Sequence, residues 1–384
     1  MNNFLPFYTP DIGEEEINEV IDCLRNGWLT TGSKAKFFEN AFAQTFGENL
    51  EAIAVNSATA GLHLALEAIG IAPGDEVITT TYTFTATAEV IRYLGADPVF
   101  VDINPSTLMI DTTLIEEKIT EKTKAIIPVH FAGATCDMDS IFKIALKYNL
   151  KIVEDAAHSL PATYKGKWIG SLSSDATVFS FYATKTMTTG EGGMILTKNK
   201  EIARRCRIMR LHGINRDIFD RYTSNKANWF YEIVAPGYKY NMPDIQASIG
   251  IAQLKKLFSF QKKRQRIAEC YNNELKEYPI ILPPLGLDGD MHSWHLYVIQ
   301  LHHDLDITRE YFIDEMAKRG IGCSVHFIPL HLHVYWREKY KFSSMDYPNA
   351  TKAYNRTVSL PLYTKMSDED QYRIIESINN ILYK

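Results

Sequence analysis

Short apolar runs typical of β-strands alternate with amphipathic runs typical of α-helices from residue 52 to residue 181. The strand-like runs lie at 52–55, 76–80, 96–101, 125–130, 151–153 and 177–181. Helical spacing fills the intervals, most clearly at 60–69, 110–119 and 139–148. A strand–helix–strand succession predicts an α/β fold, with a mostly parallel mixed sheet between helices. Ligands bind such sheets beyond the carboxyl ends of the strands.

The regions that flank this alternation have a different pattern. Helical spacing precedes it at 13–25 and 36–46, and follows it at 201–211, 245–257 and 261–275. The remainder mixes strand-like runs at 294–301 and 321–327 with helical runs at 309–319 and 368–382. A chain of 384 residues is long enough for two domains. We therefore predict a large domain over residues 1–260 and a smaller C-terminal α+β domain over residues 261–384.

Composition argues against several classes of function. The hydrophobic fraction of 46% and the charged fraction of 23% are typical of a globular protein. A formal net charge of −5 gives no electrostatic basis for binding nucleic acid. No run of about 18 apolar residues is present, so we expect no membrane insertion. The five cysteines lie far apart and the amino terminus lacks signal-peptide features, which predicts reduced thiols and a cytoplasmic protein.

Side chains that commonly bind ligands follow the predicted strands, at the edge where a ligand would lie. They are Ser57, Phe84, His130, Asp155 and Ser180. Ser57 and Thr59 open a helix whose backbone N–H groups suit a phosphate, although an ordinary helix cap has the same sequence. Phe84 is either a core aromatic or a ring that stacks on a planar ligand. Their shared position at one sheet edge favours the ligand-binding interpretation of each.

The stretch from residue 151 to residue 197 adds a lysine to this edge. Lys185 follows a strand, among small and hydroxylated residues, and a glycine pair follows at 192–193. Pyridoxal phosphate (PLP) needs a lysine amine for its aldehyde and a carboxylate against its pyridine nitrogen. Lys185 supplies the amine, Asp155 supplies the carboxylate, and His158 can reach the ring oxygen or cover a ring face. For the phosphate and the stacking ring the chain offers Ser57, the amides of Ala58 and Thr59, Ser180, and Phe84.

Two further features have more than one interpretation. The loop GWLTTGSK, residues 27–34, is either a solvated turn or part of a site. The segment 326–336 contains His326, His331 and His333, which could suggest a metal site. No carboxylate cluster accompanies them, so structural histidines are the favoured interpretation and we predict no metal.

The chain resembles the DegT/StrS family of PLP-dependent nucleotide-sugar aminotransferases over essentially its whole length. The resemblance rests on GWLTTGSK, NSATAGLHLAL, EDAAHSL, FSFYATKTMTTGEGGMI, APGYKYNMPDIQASIGIAQL, WHLYVI and RGIGCSVHF. The nearest likeness is to the branch that aminates C4 of UDP-linked 4-keto sugars. It implies the aspartate aminotransferase fold (fold type I) and L-glutamate as the amino donor. It also implies a product used for surface polysaccharide or glycoconjugate, including lipopolysaccharide.

The resemblance implies roles around the cofactor ring. Lys185 matches the lysine that holds PLP covalently as an internal aldimine. Once freed, this lysine moves a proton between the donor's α-carbon and the cofactor's C4′ carbon. Asp155 matches the partner of the pyridine nitrogen, and His158 matches another residue that contacts the cofactor. Phe84 matches the stacking aromatic.

The resemblance also implies roles at the phosphate and the substrate. The phosphate binders match Ser57, Ala58, Thr59, Ser180 and Asn241. In the family that asparagine comes from the other subunit, so the resemblance implies a homodimer with shared active sites. Tyr182 stands where many relatives have histidine beside the substrate. His326 matches a segment that reaches the neighbouring subunit's substrate pocket.

Two rival functions fit part of this sequence. A sugar 3-dehydratase of the same family uses PLP without an imine lysine and carries histidine at that position, where this chain has Lys185. A PLP-binding regulator without turnover would usually add a DNA-binding domain, and the enzyme fold accounts for all 384 residues. Both points favour an aminotransferase.

Overall fold

The computed structural model describes residues 4–215 and 230–383. Its helices are α1 (Glu14–Arg25), α2 (Ser33–Phe46), α3 (Ala58–Ala68), α4 (Ala86–Tyr93), α5 (Met138–Tyr148), α6 (Lys200–Met209), α7 (Asp244–Leu275), α8 (Arg309–Lys318), α9 (Val334–Tyr340), α10 (Pro348–Tyr354) and α11 (Asp368–Leu382). Its strands are β1 (Glu51–Val55), β2 (Glu76–Thr80), β3 (Asp97–Val101), β4 (Thr123–Ile127), β5 (Lys151–Asp155), β6 (Thr163–Tyr164), β7 (Lys167–Trp168), β8 (Ala176–Ser180), β9 (Gly193–Thr197), β10 (Ile280–Ile281), β11 (Tyr297–Leu301) and β12 (Thr357–Leu360).

Seven strands form one sheet in the order β1-β9-β8-β5-β4-β2-β3. The pairs from β8 to β3 are parallel, whereas β9 is antiparallel to both of its neighbours. Apolar clusters cover both faces of the sheet: one contains Phe38 and Phe42 of α2, and the other contains Leu64 of α3 and Val90 of α4. The predicted α/β fold, with a mostly parallel mixed sheet between helices, is confirmed.

The C-terminal region has its own antiparallel sheet, in the order β10-β11-β12. A third apolar cluster joins this sheet to the helices, with Ile267 of α7, Phe312 of α8 and Ile374 of α11 among its members. This arrangement is α+β, as the mixed pattern predicts. Among the residues that the structure describes, no helix combines the length and the apolar character needed to cross a membrane.

The helix α7 corrects the prediction of two separate helices at 245–257 and 261–275. It is continuous over 32 residues. The connecting residues 258–260 include neither glycine nor proline, and Phe260 is buried, so nothing interrupts the backbone hydrogen bonds. The helix therefore runs across residue 260, and the division into domains at that point stays a prediction.

Two other predicted elements are wrong. The helix at 110–119 is replaced by two 3-10 turns, Thr112–Leu114 and Glu116–Lys118. Ile110 pairs with Ile103, and the Asp111 carboxylate accepts the N–H of Thr113, so this backbone is held in a turn. The strand at 321–327 is reduced to two single-residue bridges, a parallel one between Leu5 and Ile321 and an antiparallel one between Ser324 and Ser359, so no continuous ladder forms.

Candidate active site

A cavity of about 500 Å³ opens at the carboxyl ends of β5 and β8, beside the first turn of α3. Its lining brings together all but two of the predicted site residues: Ser57, Ala58, Thr59, Phe84, Asp155, His158, Ser180, Tyr182, Lys185 and His326. The exceptions are His130, whose side chain bonds Glu154, and Asn241, whose side-chain amide donates to Thr31 Oγ1 over 2.6 Å. The ambiguous loop 27–34 therefore contacts Asn241 rather than the cavity.

The first turn of α3 forms one end of the cavity. Ser57 is the N-cap, and its Oγ accepts the N–H of Ala60 over 3.1 Å. The free N–H groups and the positive end of the helix dipole make this turn a site for an anion. Strand β9 packs closely against this turn. The approach leaves no room for a side chain at Gly193, where an added Cβ would lie 2.7 Å from the Ala58 nitrogen. The glycine pair noted in the sequence thus permits a close approach to the anion-binding turn.

Lys185 lies inside the cavity. Burial lowers its pKa to about 8, and the nearby Asp155 carboxylate opposes that shift. A lowered pKa leaves a useful fraction of the amine neutral near physiological pH, which a nucleophile or a general base requires. Its Nζ atom lies 3.3 Å from Nε2 of His295.

The Asp155 carboxylate is buried at the end of β5. Oδ2 accepts a hydrogen bond from the Thr87 hydroxyl over 2.8 Å, and Oδ1 accepts the Ala157 N–H over 3.2 Å. Burial raises the pKa of Asp155, while the Thr87 and Ala157 hydrogen bonds lower it. A carboxylate that faces a cavity from this position suits a protonated ring nitrogen.

His158 is a neutral imidazole with a defined tautomer. Its Nδ1 accepts the Ala132 N–H over 3.2 Å, so the proton is on Nε2. Burial, aided by the positive charge of Lys185, holds the pKa of His158 well below its usual value. The ring packs on Phe327 and on His295, with centroids 5.6 and 4.4 Å away. His158 therefore offers a hydrogen-bond donor to a ligand.

The other histidines have separate positions. His130 does not line the cavity; its Nε2 bonds Glu154 over 2.8 Å. His326 borders the cavity, with Nδ1 2.9 Å from Ser359 Oγ, and burial lowers its pKa to about 4. His331 instead contacts Thr351 over 2.9 Å.

No metal site forms from the histidines at 326–333. Among the described residues, the group of three His, Cys, Asp or Glu side chains whose ligand atoms all lie within 4.8 Å of one another is elsewhere, at His302, His303 and Asp304. Two of those three residues are exposed.

Two residues of the site were missed by the sequence reasoning. Thr87 lies in the threonine-rich stretch TTTYTFTAT, residues 79–87, and the sequence pattern assigns it no role. His295 lies in the segment WHLYVI, which carried part of the resemblance but no assigned chemistry. The run of threonines and the histidine of WHLYVI are the sequence features that could have drawn attention to these positions. Neither feature indicates that Thr87 contacts Asp155 or that His295 contacts Lys185.

The sequence model of the DegT/DnrJ/EryC1/StrS aminotransferase family matches residues 10–379. The chain belongs to this family. The match covers the cavity and its whole lining. The resemblance inferred from the motifs is confirmed.

Relatives of known name agree with this membership. The chain is 47% identical over 383 residues to the spore coat polysaccharide biosynthesis protein SpsC of Bacillus subtilis, covering 99% of this chain and 98% of that protein. The PLP-form of the putative sugar aminotransferase Spr1654 from Streptococcus pneumoniae is 37% identical, with a TM-score of 0.90 and 99% of each chain covered. Helicobacter pylori PseC, an aminotransferase of pseudoaminic acid biosynthesis, is 29% identical, with a TM-score of 0.91 and coverage of 99% and 100%.

The chain is therefore a PLP-dependent aminotransferase of the DegT/DnrJ/EryC1/StrS family. Its cavity fits that cofactor. A buried amine, a buried carboxylate and an anion-binding helix end face the same space. These are the groups that an aldehyde, a pyridine nitrogen and a phosphate require.

Proposed function

We propose that this aminotransferase moves an amino group from L-glutamate to a nucleotide-diphosphate-linked keto sugar, at C4 of a UDP-linked 4-keto sugar. The product would serve surface polysaccharide or glycoconjugate biosynthesis, lipopolysaccharide included. Support for a sugar acceptor comes from SpsC, Spr1654 and PseC, whose names give polysaccharide biosynthesis, a sugar aminotransferase and pseudoaminic acid biosynthesis. The observation that carries the chemistry is that Lys185 and Asp155 face one cavity.

The proposed roles follow from the side chains at each end of the cavity. Bound PLP supplies an electron sink for the carbanion formed at the donor's α-carbon. Asp155 would hold the proton on the ring nitrogen, and the Nε2–H of His158 would donate to the ring oxygen. Phe84, which is 59% exposed at the cavity mouth, would stack on the ring. The phosphate would be held by Ser57, the amides of Ala58 and Thr59, and Ser180.

Lys185 would act as both base and acid. In the first half-reaction its amine would take the proton from the α-carbon of glutamate, whose nitrogen would stay with the cofactor when 2-oxoglutarate leaves. In the second half-reaction the amine returns a proton to the sugar carbon that receives the nitrogen. A pKa near 8 suits both directions, because each protonation state is accessible near neutral pH. Tyr182 and His326, which border the cavity, would contact the acceptor.

We further propose a cytoplasmic homodimer with shared active sites. Asn241 lies outside the cavity of its own subunit. Its backbone pairs with Val55, at the end of the strand that precedes the anion-binding turn. In the proposed dimer, Asn241 of a second copy would complete the phosphate site.

The test is glutamate-dependent amination of a panel of nucleotide-linked keto sugars, followed by mass spectrometry of the product. The panel would vary the keto position between C3 and C4, the ring between hexose and pentose, and the nucleotide among UDP, GDP and dTDP. We expect amination of a UDP-linked 4-keto sugar and its loss in Lys185→Ala. Normal turnover by Lys185→Ala would refute the assignment of the lysine, and a preference for another panel member would refute the assigned acceptor.

The two rival functions give different results in the same experiment. A sugar dehydratase would give a product that has lost a hydroxyl group and has gained no nitrogen, which its mass distinguishes from an amino sugar. A PLP-binding regulator would show the absorbance of lysine-bound cofactor, but glutamate would not bleach it. Lys185 argues against the dehydratase, whose relatives lack that lysine.

A further inference from the structure

The partner of Lys185 comes from the C-terminal part of the chain. Lys185 Nζ lies 3.3 Å from His295 Nε2, and 110 residues separate the two in sequence. A lysine ammonium can only donate, so Nε2 of His295 accepts and the imidazole proton is on Nδ1. The His295 ring is buried, and its Nδ1 has no hydrogen-bond partner among the described residues. The imidazole is therefore paired through Nε2, and its partner there is Lys185.

Two side chains, the buried Arg264 and the half-buried Tyr8, hold the backbones on either side of this contact. Arg264 donates from Nη1 to the backbone carbonyls of Trp294, His295 and Leu362, over 3.0, 3.2 and 3.1 Å. Tyr8 donates its hydroxyl to the backbone carbonyl of Lys185 over 3.0 Å. The guanidinium of Arg264 lies 5.9 Å from the centre of the Tyr8 ring. The contact between Arg264 and Tyr8 therefore links the backbone at His295 to the backbone at Lys185 and helps to fix the distance between the two side chains.

We propose that His295 is a positioning residue for Lys185, and that its Nε2 accepts a hydrogen bond from the lysine amine whenever that amine is not bonded to cofactor. The amine freed during turnover would then stay in the cavity in a fixed place, where it transfers protons. This inference rests on the role of Lys185 in the proposed function. The sequence motifs assign His295 no role in the reaction.

Other groups also face Lys185 and must be considered in any pH effect. They are Asp155, His158, His326, Tyr182 and Glu191, all of which line the cavity. Burial lowers the pKa values of His158 and His295 well below 6.5 and that of His326 to about 4, so these imidazoles are neutral near pH 7. Asp155 raises the pKa of Lys185, against the larger effect of burial. A neutral acceptor at His295 adds to the stabilisation of the ammonium.

The experiment measures how fast PLP, added to the apoprotein, forms the absorbance band of lysine-bound cofactor between pH 6 and pH 10. Only the neutral amine attacks, so the wild-type rate should rise with pH through a midpoint near 8. His295→Leu removes an acceptor that favours the charged amine, so we expect the midpoint to fall by about one pH unit. His295→Gln, whose amide oxygen can replace Nε2, should keep the wild-type midpoint. His295→Asn, which is polar but too short to reach, should resemble His295→Leu.

Steady-state kinetics give a second readout. In His295→Leu and His295→Asn we expect kcat to fall by about tenfold or more while KM for glutamate changes little, since proton transfer is affected and binding is not. A purely structural role would lower the amount of folded protein in all three variants and leave the midpoint unmoved. Wild-type midpoint and kcat in His295→Asn would overturn the proposal, even if His295→Leu fails to fold. Lys185→Met tests the role of Lys185 separately from that of His295. If the absorbance band of lysine-bound cofactor still forms in this variant, the role of Lys185 is refuted. If the band is lost, the role of Lys185 stands and the His295 variants test the positioning role alone.

Discussion

Two neighbouring carboxylates in β5 have opposite surroundings. Glu154 is fully buried, and its two oxygens accept hydrogen bonds from His130 Nε2 and from the Thr177 hydroxyl, each over 2.8 Å. Asp155 is also buried, but it faces the cavity, and within residues 4–215 and 230–383 its carboxylate has the Thr87 hydroxyl and the Ala157 N–H as hydrogen-bond partners. Consecutive residues of a strand point to opposite faces of the sheet, which separates the two environments.

The difference shows how to distinguish a structural carboxylate from a functional one. The Glu154 side is closed: His130 Nδ1 accepts the Cys136 N–H over 3.1 Å, so its Nε2–H must be donated to Glu154. Both oxygens of Glu154 and both ring nitrogens of His130 therefore have hydrogen-bond partners within the protein. The Asp155 side is open, since the carboxylate can accept a further hydrogen bond from a ligand in the cavity. We expect stability to depend on the first residue and turnover on the second.

The largest expected effect on stability is that of Glu154→Ala. The substitution leaves the His130 and Thr177 donors buried without an acceptor, at about 1–3 kcal/mol each, so the free energy of unfolding should fall by about 2–6 kcal/mol. Urea unfolding of the apoprotein would measure it. Asp155→Ala is the matched control, and should cost much less because its carboxylate is already penalised by burial. Equal losses in the two variants would contradict the comparison.

The reverse experiment uses Asp155→Asn, which keeps the shape but removes the charge. An amide cannot hold a proton on a pyridine nitrogen, so we expect turnover to fall by about 100-fold or more, the scale of one preorganised electrostatic group. The free energy of unfolding should remain close to that of the wild type. Rapid-mixing measurement of the glutamate half-reaction and urea unfolding test the two statements. Glu154→Gln is the control on the closed side; a turnover loss as large as that of Asp155→Asn would show that both carboxylates act in the reaction.

The same pair of residues shows what the sequence could predict. The strand ends and the lysine after β8 were predictable, because strand–helix alternation and the positions after each strand are local properties of the chain. His130 was also expected at this edge, yet its side chain points to the closed side. The direction in which a side chain points depends on register, which a hydrophobic run fixes only to within a residue or two.

The C-terminal contributions to the site could not be predicted in the same way. The segment around His295 is held at the cavity by backbone hydrogen bonds, from Ser293 N–H to the Gly133 carbonyl and from Leu296 N–H to the Ala132 carbonyl. His326 is held by Ser359 of β12. No local sequence pattern encodes these long-range contacts. Thr87 was hidden among similar threonines, and its contact with Asp155 depends on how α4 sits on the sheet. The continuity of α7 has a related cause: burial of Phe260 favours one helix where helical spacing at 245–257 and 261–275 predicts two.

The smallest expected effects come from two threonines that donate to the two carboxylates. Thr177→Val removes a donor to Glu154 and should lower the free energy of unfolding by about 1 kcal/mol, with turnover close to wild type. Thr87→Val removes a donor to Asp155 that lowers the pKa of that carboxylate, so the pKa should rise. Since the ionised carboxylate is needed, the acid limb of the kcat profile should move to higher pH, by about half to one unit for a loss of about 1 kcal/mol. Identical pH profiles for the two valine variants would show that Asp155 is as closed as Glu154, and the distinction between the two sides of β5 would fail.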